Sequence, residues 1–536
     1  MKRPLTVSVL LLVLGLGAAA EFADYVYLPP SAKSSADGMA ERYPLPREMA
    51  LRLLGQERPV RTLNTFAGKN AELRAKSAGA GAFRVAEGEA VAWAAAALFG
   101  PGRVEGNRNW FTAEAASAGA LALRLRVDVS GFGPDDALYC MDLEAGRTHG
   151  PYTVRDASEA GLWLPTVAGD RMVLALSSPG AVPPPLHVEA LSHFFAFYAE
   201  KAGGEEFCPI PADCETDSAA FQVSTSAGLI IVPQGLGQVQ CTGTLLNRAG
   251  APTFEPLFIT ARHCFDSGSV RARDVDVFWD YRTGGCDPAL PRPALADLPR
   301  SMGRELLAHS SRLDGQFLRL DGAPVGAFGR AWAGWDTAEP GLGAAVQGFH
   351  CPAGTPLKTC RGVVLEVNRE ECLNVLCTTK YERQTRVRWN EGITEGGSSG
   401  SGLFMADGAF RLVGMLSNGT VHTCGRPAFN LDNYASFRDF FPVIACHLVD
   451  GTSCAPGDKE SWCFLGKMLG STGPAAESLR YFRDTVLMPL PIGKKVVAAY
   501  YAASPAFERA AEASPAFRAV SAVCAAGAAL LPPPGD

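Results

Sequence analysis

What the 536-residue chain lacks narrows its functions first. It has no lysine- or arginine-rich run and a net charge of −6, mild for this length, so no nucleic-acid partner is expected. It has no Cys-x-x-Cys pair; the closest approach to a zinc set is His350–Cys351 with Cys360, Cys372 and Cys377, and we expect neither metal nor organic cofactor. No internal repeat is present. The last apolar run, residues 519–531, is too short to cross a bilayer as a helix. Charged residues make up 19% and hydrophobic ones 47%, a globular balance that excludes wholesale disorder, and the length suggests two to four domains.

The N-terminus reads MKRPLTVSVLLLVLGLGAAA: two basic residues, an apolar run, then small residues at Ala18–Ala20. That pattern is a signal peptide over residues 1–20, which implies a secreted, cell-surface or periplasmic protein with no stable membrane span after its removal. Export gives the 15 cysteines an oxidising setting. Cys140 stands alone in the first third, ten lie from Cys208 to Cys424, and four from Cys446 to Cys524. An even set of ten in the middle suggests a disulfide-stapled domain.

Along the chain the texture changes twice. Residues 21–110 show no clear period. In LALRLRVDV (121–129) apolar and other residues alternate with period two, the mark of a half-buried strand, and strand-like runs follow at 161–167 and 171–178. These describe a small β-rich domain ending near Tyr198. From Phe207 to about Asp450, short strands and Gly/Pro turns imply an all-β sandwich or barrel pair. Beyond it the periodicity is helical and broken by prolines.

Within the middle region, EGGSSGSGLF (395–404) reads either as a loose linker or as a tight loop presenting a serine. A serine hydroxyl is a weak nucleophile that needs an imidazole to take its proton and a carboxylate to orient that imidazole. It also needs donors for an oxyanion, which a glycine-bearing loop supplies as backbone N–H groups. Ser399 is the candidate nucleophile, with Gly397 and Ser399 N–H as donors. His263 in LFITARHCF (257–265) follows an apolar strand and sits beside Cys264, where a bridge to Cys241 would fix it. Asp314 in SRLDGQFLRL (311–320) opens a strand, where an acid can lie behind an imidazole. The order His263, Asp314, Ser399 is chymotrypsin-like.

On FCPIPADC (207–214), CTGTLL (241–246), TARHC (260–264), VFWDYRTGGC (277–286), DGQFLRL (314–320), WAGWD (332–336), His350–Pro352 and GITEGGSSGSGLF (392–404), the region 202–445 resembles the lysyl endopeptidase branch of the trypsin-like serine proteases. The resemblance implies a mostly β, chymotrypsin-like double β-barrel protease domain over 202–450. It implies disulfides Cys208–Cys424, Cys214–Cys286 and Cys241–Cys264, to which proximity alone adds Cys351–Cys360 and Cys372–Cys377. Trypsin's pocket aspartate, six residues before its serine, is here Ile393. Lysyl endopeptidases instead use an aspartate about thirty residues after it, which falls on Asp432 in CGRPAFNLDNY (424–434). LSNG (416–419) resembles the segment lining the pocket, with Ser417 expected to hydrogen-bond Asp314 and Gly419 to flank the substrate. The family usually has proline where this chain has Gly396 and Gly402.

The resemblance also implies a precursor. Residues 21–201 resemble a β-rich pro-region, with self-cleavage expected after Lys201. Residues 451–536 form a helical C-terminal module whose SWCFLG (461–466) and 479–505 stretch resemble degenerate CFI-box modules, implying a partnership with sorting machinery. The expected function is a monomeric, secreted endopeptidase that cuts protein or peptide substrates after Lys, with Arg left open beside it. Its alternatives are a catalytically silent binding or adhesion protein of the same fold, and a protease preferring small or apolar P1 residues.

Overall fold

The computed structural model describes residues 21–455 except 31–44, 78–82, 144–146, 159, 197–207, 251–252, 266–270, 288, 374–376, 378–379, 421 and 423. The expected signal peptide (1–20), the processing site Lys201 and nearly all of the expected tail module lie outside the described residues. No described helix is long and apolar enough to cross a membrane.

The six longest strands before residue 197 are β1 (Phe83–Ala94), β2 (Arg108–Ala116), β3 (Ala122–Asp128), β4 (Ala137–Asp142), β5 (Arg171–Ser178) and β6 (His187–Phe194). β1, β6 and β3 form one antiparallel sheet and β2, β5 and β4 another. Leu98, Phe111, Leu123, Leu125, Leu174 and Leu176 fill the space around them.

Two barrels follow. β7 (Ala227–Gln234), β8 (Gly237–Leu246), β9 (Leu257–Ala261), β10 (Asp276–Phe278), β11 (Arg300–Ser310) and β12 (Gly315–Leu320) close a ring in the order 7-8-9-12-11-10. β13 (Ala345–His350), β14 (Lys358–Cys372), β15 (Lys380–Glu391), β16 (Gly402–Met405), β17 (Leu412–Gly419) and β18 (Leu431–Ser436) close a second, in the order 13-14-15-18-17-16. Closure leaves neither ring an unpaired edge. The run GLIIV carries no polar alternation because β7 is buried on both faces. Ile230 and Val232 point into the first barrel with Phe258 and Trp279, while Leu229 and Ile231 pack into the seam that also holds Trp335, Phe349 and Phe404. Helix α1 (Phe437–Leu448) closes that seam with Phe437, Phe441 and Ile444. The double barrel matches the fold class expected from the sequence.

The N-terminal region is tied into the first barrel. β1 pairs with β8, with Phe83 opposite Gln240 and Ala86 opposite Gln238. Residues 22–23 and 26–28 add two short strands against 335–336 and 330–332. This junction corrects the reading of 121–129 as half-buried. Arg124, a polar position of the alternation, has no exposed surface because it faces the first barrel and not solvent. Its guanidinium donates to Leu164 O (2.8 Å), Gln238 Oε1 (3.0 Å) and Asp274 O (2.7 Å).

Five disulfides join described cysteines: Cys208–Cys424, Cys214–Cys286, Cys241–Cys264, Cys372–Cys377 and Cys446–Cys454. The expected Cys351–Cys360 bond is absent; both are buried free thiols. The β13–β14 register explains why. Gly348 stands opposite Cys360, and Cys351 is three residues further on, an odd offset that sends the two sulfurs to opposite faces. Cys360 enters the second barrel beside Val346 and Trp389, and Cys351 enters the seam beside Leu357. Burial pushes the Cys351 thiol up to about 12.

Removing the Arg124 side chain leaves three buried acceptors without their charged donor. Arg124→Ala is expected to destabilise the full chain by about 2–4 kcal/mol, read by urea unfolding; an unchanged midpoint would show that water replaces the guanidinium.

Candidate active site

The sequence places Asp314 in the tight turn between β11 and β12, with φ of +59°, a conformation that aspartate tolerates better than most residues. This turn aims the carboxylate inward, where it is 1% exposed. Oδ1 accepts the main-chain N–H of His263 at 2.8 Å, and Oδ2 lies 2.8 Å from His263 Nδ1. The turn's own carbonyl accepts the N–H of Arg262 at 3.0 Å. One residue therefore holds both the backbone and the ring of His263. It keeps the proton on Nδ1 and leaves Nε2 free to accept another. Burial alone would lower the affinity of His263 for a proton; the charge and hydrogen bond of Asp314 outweigh it, and the net shift is upward from 6.5.

A third partner of this carboxylate was not legible in the sequence. Tyr381, at the start of β15, brings its phenol up to Asp314, and burial together with that carboxylate pushes the phenol's pKa upward. The β14–β15 hairpin reaches across to the Asp314 turn, where Glu382 N–H donates to Arg312 O at 2.9 Å and Arg312 pairs with Glu382 at 3.2 Å. Ser417, expected in this role, is 4% exposed, and its Oγ has no hydrogen-bond partner among the described residues.

The loop 395–401 is a rigid turn and not a linker. Ser398 N–H donates to Glu395 O (3.0 Å) and Ser401 N–H to Ser398 O (3.1 Å). Gly397 and Gly400 take φ of +95° and +82°. A Cβ on Gly400 would stand 2.1 Å from Thr260 Oγ1, and one on Gly397 would stand 2.9 Å from Gln240 Nε2, so β8 and β9 demand glycine at both places. Thr242 anchors the loop to the first barrel: its N–H donates to Ser399 O (2.8 Å) and its hydroxyl to Gly397 O (2.9 Å). With these carbonyls engaged, the N–H groups of Gly397 and Ser399 meet no acceptor among the described residues, which leaves both free for an anion. Half-buried Ser399 lies near the chain segment that carries His263: its carbonyl oxygen is 3.9 Å from the sulfur of Cys264.

Behind the loop, fully buried His350 keeps its Nδ1 2.8 Å from Ser398 Oγ, which itself accepts Glu395 N–H at 3.2 Å. Burial lowers the pKa of His350 to about 3, so the ring is a neutral acceptor. Gly396, where the family has proline, is exposed, and a Cβ there would stand 3.3 Å from Phe83 at the head of β1.

Asp432 lies on β18, opposite Gly419, and is 1% exposed. Its Oδ2 accepts the Trp389 indole N–H and the Thr394 hydroxyl, each at 2.6 Å. Thr394 is five residues before Ser399, so the nucleophile loop and the carboxylate share a wall. A Cβ on Gly419 would stand 1.8 Å from Asp432 Oδ1; any side chain there would close the space over that oxygen. His422, which sequence reading passed over, brings Nε2 to 3.1 Å from Oδ1.

Two closed antiparallel barrels with these groups gathered between them define a chymotrypsin-like serine protease. A family model described as the lysyl endopeptidase C-terminal domain matches residues 202–435. The chain is 30% identical over 355 residues to the lysyl endopeptidase of Pseudomonas aeruginosa, covering 62% of this chain and 73% of that one. It belongs to the lysyl endopeptidase family and is a serine endopeptidase acting on peptide substrates. Among solved structures it is similar to the active form of a Mycobacterium tuberculosis protease (TM-score 0.32, 14% identity, 48% of this chain and 96% of that one). The protease Anisep of Arthrobacter nicotinovorans is another (TM-score 0.28, 16% identity, 40% and 90%). At scores this low the fold assignment rests on the strand pairing.

Tyr381→Phe removes the phenol that stands near Asp314, so more of the carboxylate's charge falls on His263. The His263 titration followed by proton NMR is expected to move upward; an unchanged value would remove Tyr381 from the site.

Proposed function

We propose that this serine endopeptidase cleaves after lysine, with arginine as the weaker substrate. Ser399 attacks the scissile carbonyl while His263 Nε2 takes its proton and passes it to the leaving amine. Asp314 holds the ring and stabilises the imidazolium, and the N–H groups of Gly397 and Ser399 receive the oxyanion. Asp432 reads the P1 cation.

The observation carrying the lysine reading is the state of Asp432. It is a buried carboxylate whose Oδ2 takes two neutral donors, and no lysine or arginine pairs with it among the described residues. Such a charge is costly unless a cation arrives, which favours a basic P1 residue over a neutral one. The contact of His422 with Oδ1 favours the second reading, small or apolar P1, if that contact persists with substrate bound.

We take residues 1–20 as the export signal and 21–201 as a pro-region removed by cleavage after Lys201. The protease over 202–450 then acts as a monomer outside the cytoplasm, with 451–536 as a sorting module. Five disulfides suit an oxidising compartment. N-terminal sequencing of secreted protein tests the cleavage directly: an Ala202 start supports it and any other start refutes it.

Hydrolysis of matched Lys, Arg, Ala and Phe peptide amides by the processed enzyme is expected to rank Lys first. Ser399→Ala should lose about 10³-fold or more in kcat. Asp432→Asn should lose roughly 100-fold in kcat/KM for the Lys amide while sparing the Ala amide. A preference for Ala or Phe would retire Asp432 and keep the chemistry.

The upward shift of His263 sets the pH response. The general base must be unprotonated, so kcat/KM is expected to fall as pH drops through a value above 6.5 and to hold on the alkaline side. A profile flat from pH 8 to about 5 would contradict the role given to His263.

A further inference from the structure

The floor of the pocket is already occupied. Oδ2 of Asp432 is committed to Trp389 and Thr394, so Oδ1 is the oxygen left for an arriving ammonium. His422 Nε2 stands 3.1 Å from that oxygen, and the two side chains are 1% and 2% exposed. The ring is also held from the other end, because Thr394 N–H donates to His422 Nδ1 at 3.1 Å. Accepting at Nδ1 puts the proton of the neutral ring on Nε2, facing the carboxylate. The Nε2 contact is off the line of a good hydrogen bond, so for the neutral ring it is a weak electrostatic one.

We propose that His422 is a specificity-determining residue that competes with the substrate: its imidazole caps Asp432 Oδ1 in the free enzyme and must swing aside before a lysine ammonium can dock. This rests on the lysine reading of Asp432 and adds to it a cost that only cationic substrates meet. An apolar P1 chain does not need Oδ1 and leaves the cap in place.

Competition of this kind depends on pH. Three titratable groups face the ring: Asp432 on β18, Glu395 in the nucleophile loop, and the neutral His350 at the end of β13. Burial lowers His422, but Asp432, with help from the Leu431 carbonyl and then Glu395, raises it above 6.5 overall. Below that value the ring is an imidazolium paired with Asp432, and above it the neutral ring releases the oxygen more readily. Affinity for a cation should therefore weaken as pH falls.

The test uses processed enzyme with Lys and Met peptide amides, and n-butylammonium as a competitive inhibitor. His422→Ala is expected to lower KM for the Lys amide by about tenfold at pH 6, the difference one hydrogen bond to a charged group makes, and to leave KM for the Met amide unchanged. In the wild-type enzyme the butylammonium inhibition constant should rise by about tenfold between pH 8.5 and 6, a readout that survives if the alanine variant misfolds. An inhibition constant that is flat with pH, or a Lys KM unchanged by His422→Ala, would overturn the competitor while leaving Asp432 as the cation reader. If Asp432→Asn leaves Lys cleavage intact, both readings fall together.

Discussion

The double grip of Asp314 on His263 is the constraint on which the rest depends. One carboxylate oxygen binds the histidine's main chain and the other its ring, both at 2.8 Å. That geometry needs a turn in a left-handed conformation and a burial deep enough to keep water from competing. The Cys241–Cys264 bridge fixes the chain on the far side of His263. The β14–β15 hairpin of the second barrel bonds Arg312 in the same turn through Glu382, so the turn that holds His263 is braced from both barrels.

The nucleophile loop is built by the same logic of exclusion. Thr242 uses up the carbonyls of Gly397 and Ser399, and close approach of β8 and β9 forbids side chains at Gly397 and Gly400. Among the described residues this leaves the N–H groups of Gly397 and Ser399 without an acceptor, the two donors that the proposed chemistry needs. His350 and Ser398 tie the back of the loop to the end of β13, so the donors are preorganised before substrate arrives.

Much of this was legible in the sequence. Period-two strands and Gly/Pro turns announced a β protein, and the His–Asp–Ser order with its flanking motifs named the class. The misses share a cause: they depend on register and on contacts between distant segments, neither of which local pattern carries. Arg124 looked like an outward-facing strand residue because nothing nearby shows that a barrel covers it. Cys351 and Cys360 looked close enough to pair, and only the strand register sends them apart. Tyr381 and His422 carry no motif: Tyr381 nears Asp314 from the other barrel, and His422 meets Asp432 only because the connection between them folds back.

In the proposed function Ser399 is a nucleophile whose reactivity is directed to basic side chains. The most direct measurement is adduct mapping by mass spectrometry after treating processed enzyme with two diphenyl phosphonates, one with a lysine-like side chain and one with an alanine-like side chain. A single covalent adduct on Ser399 is expected, formed faster with the lysine-like reagent. No adduct on Ser399, or equal rates for the two reagents, would contradict it.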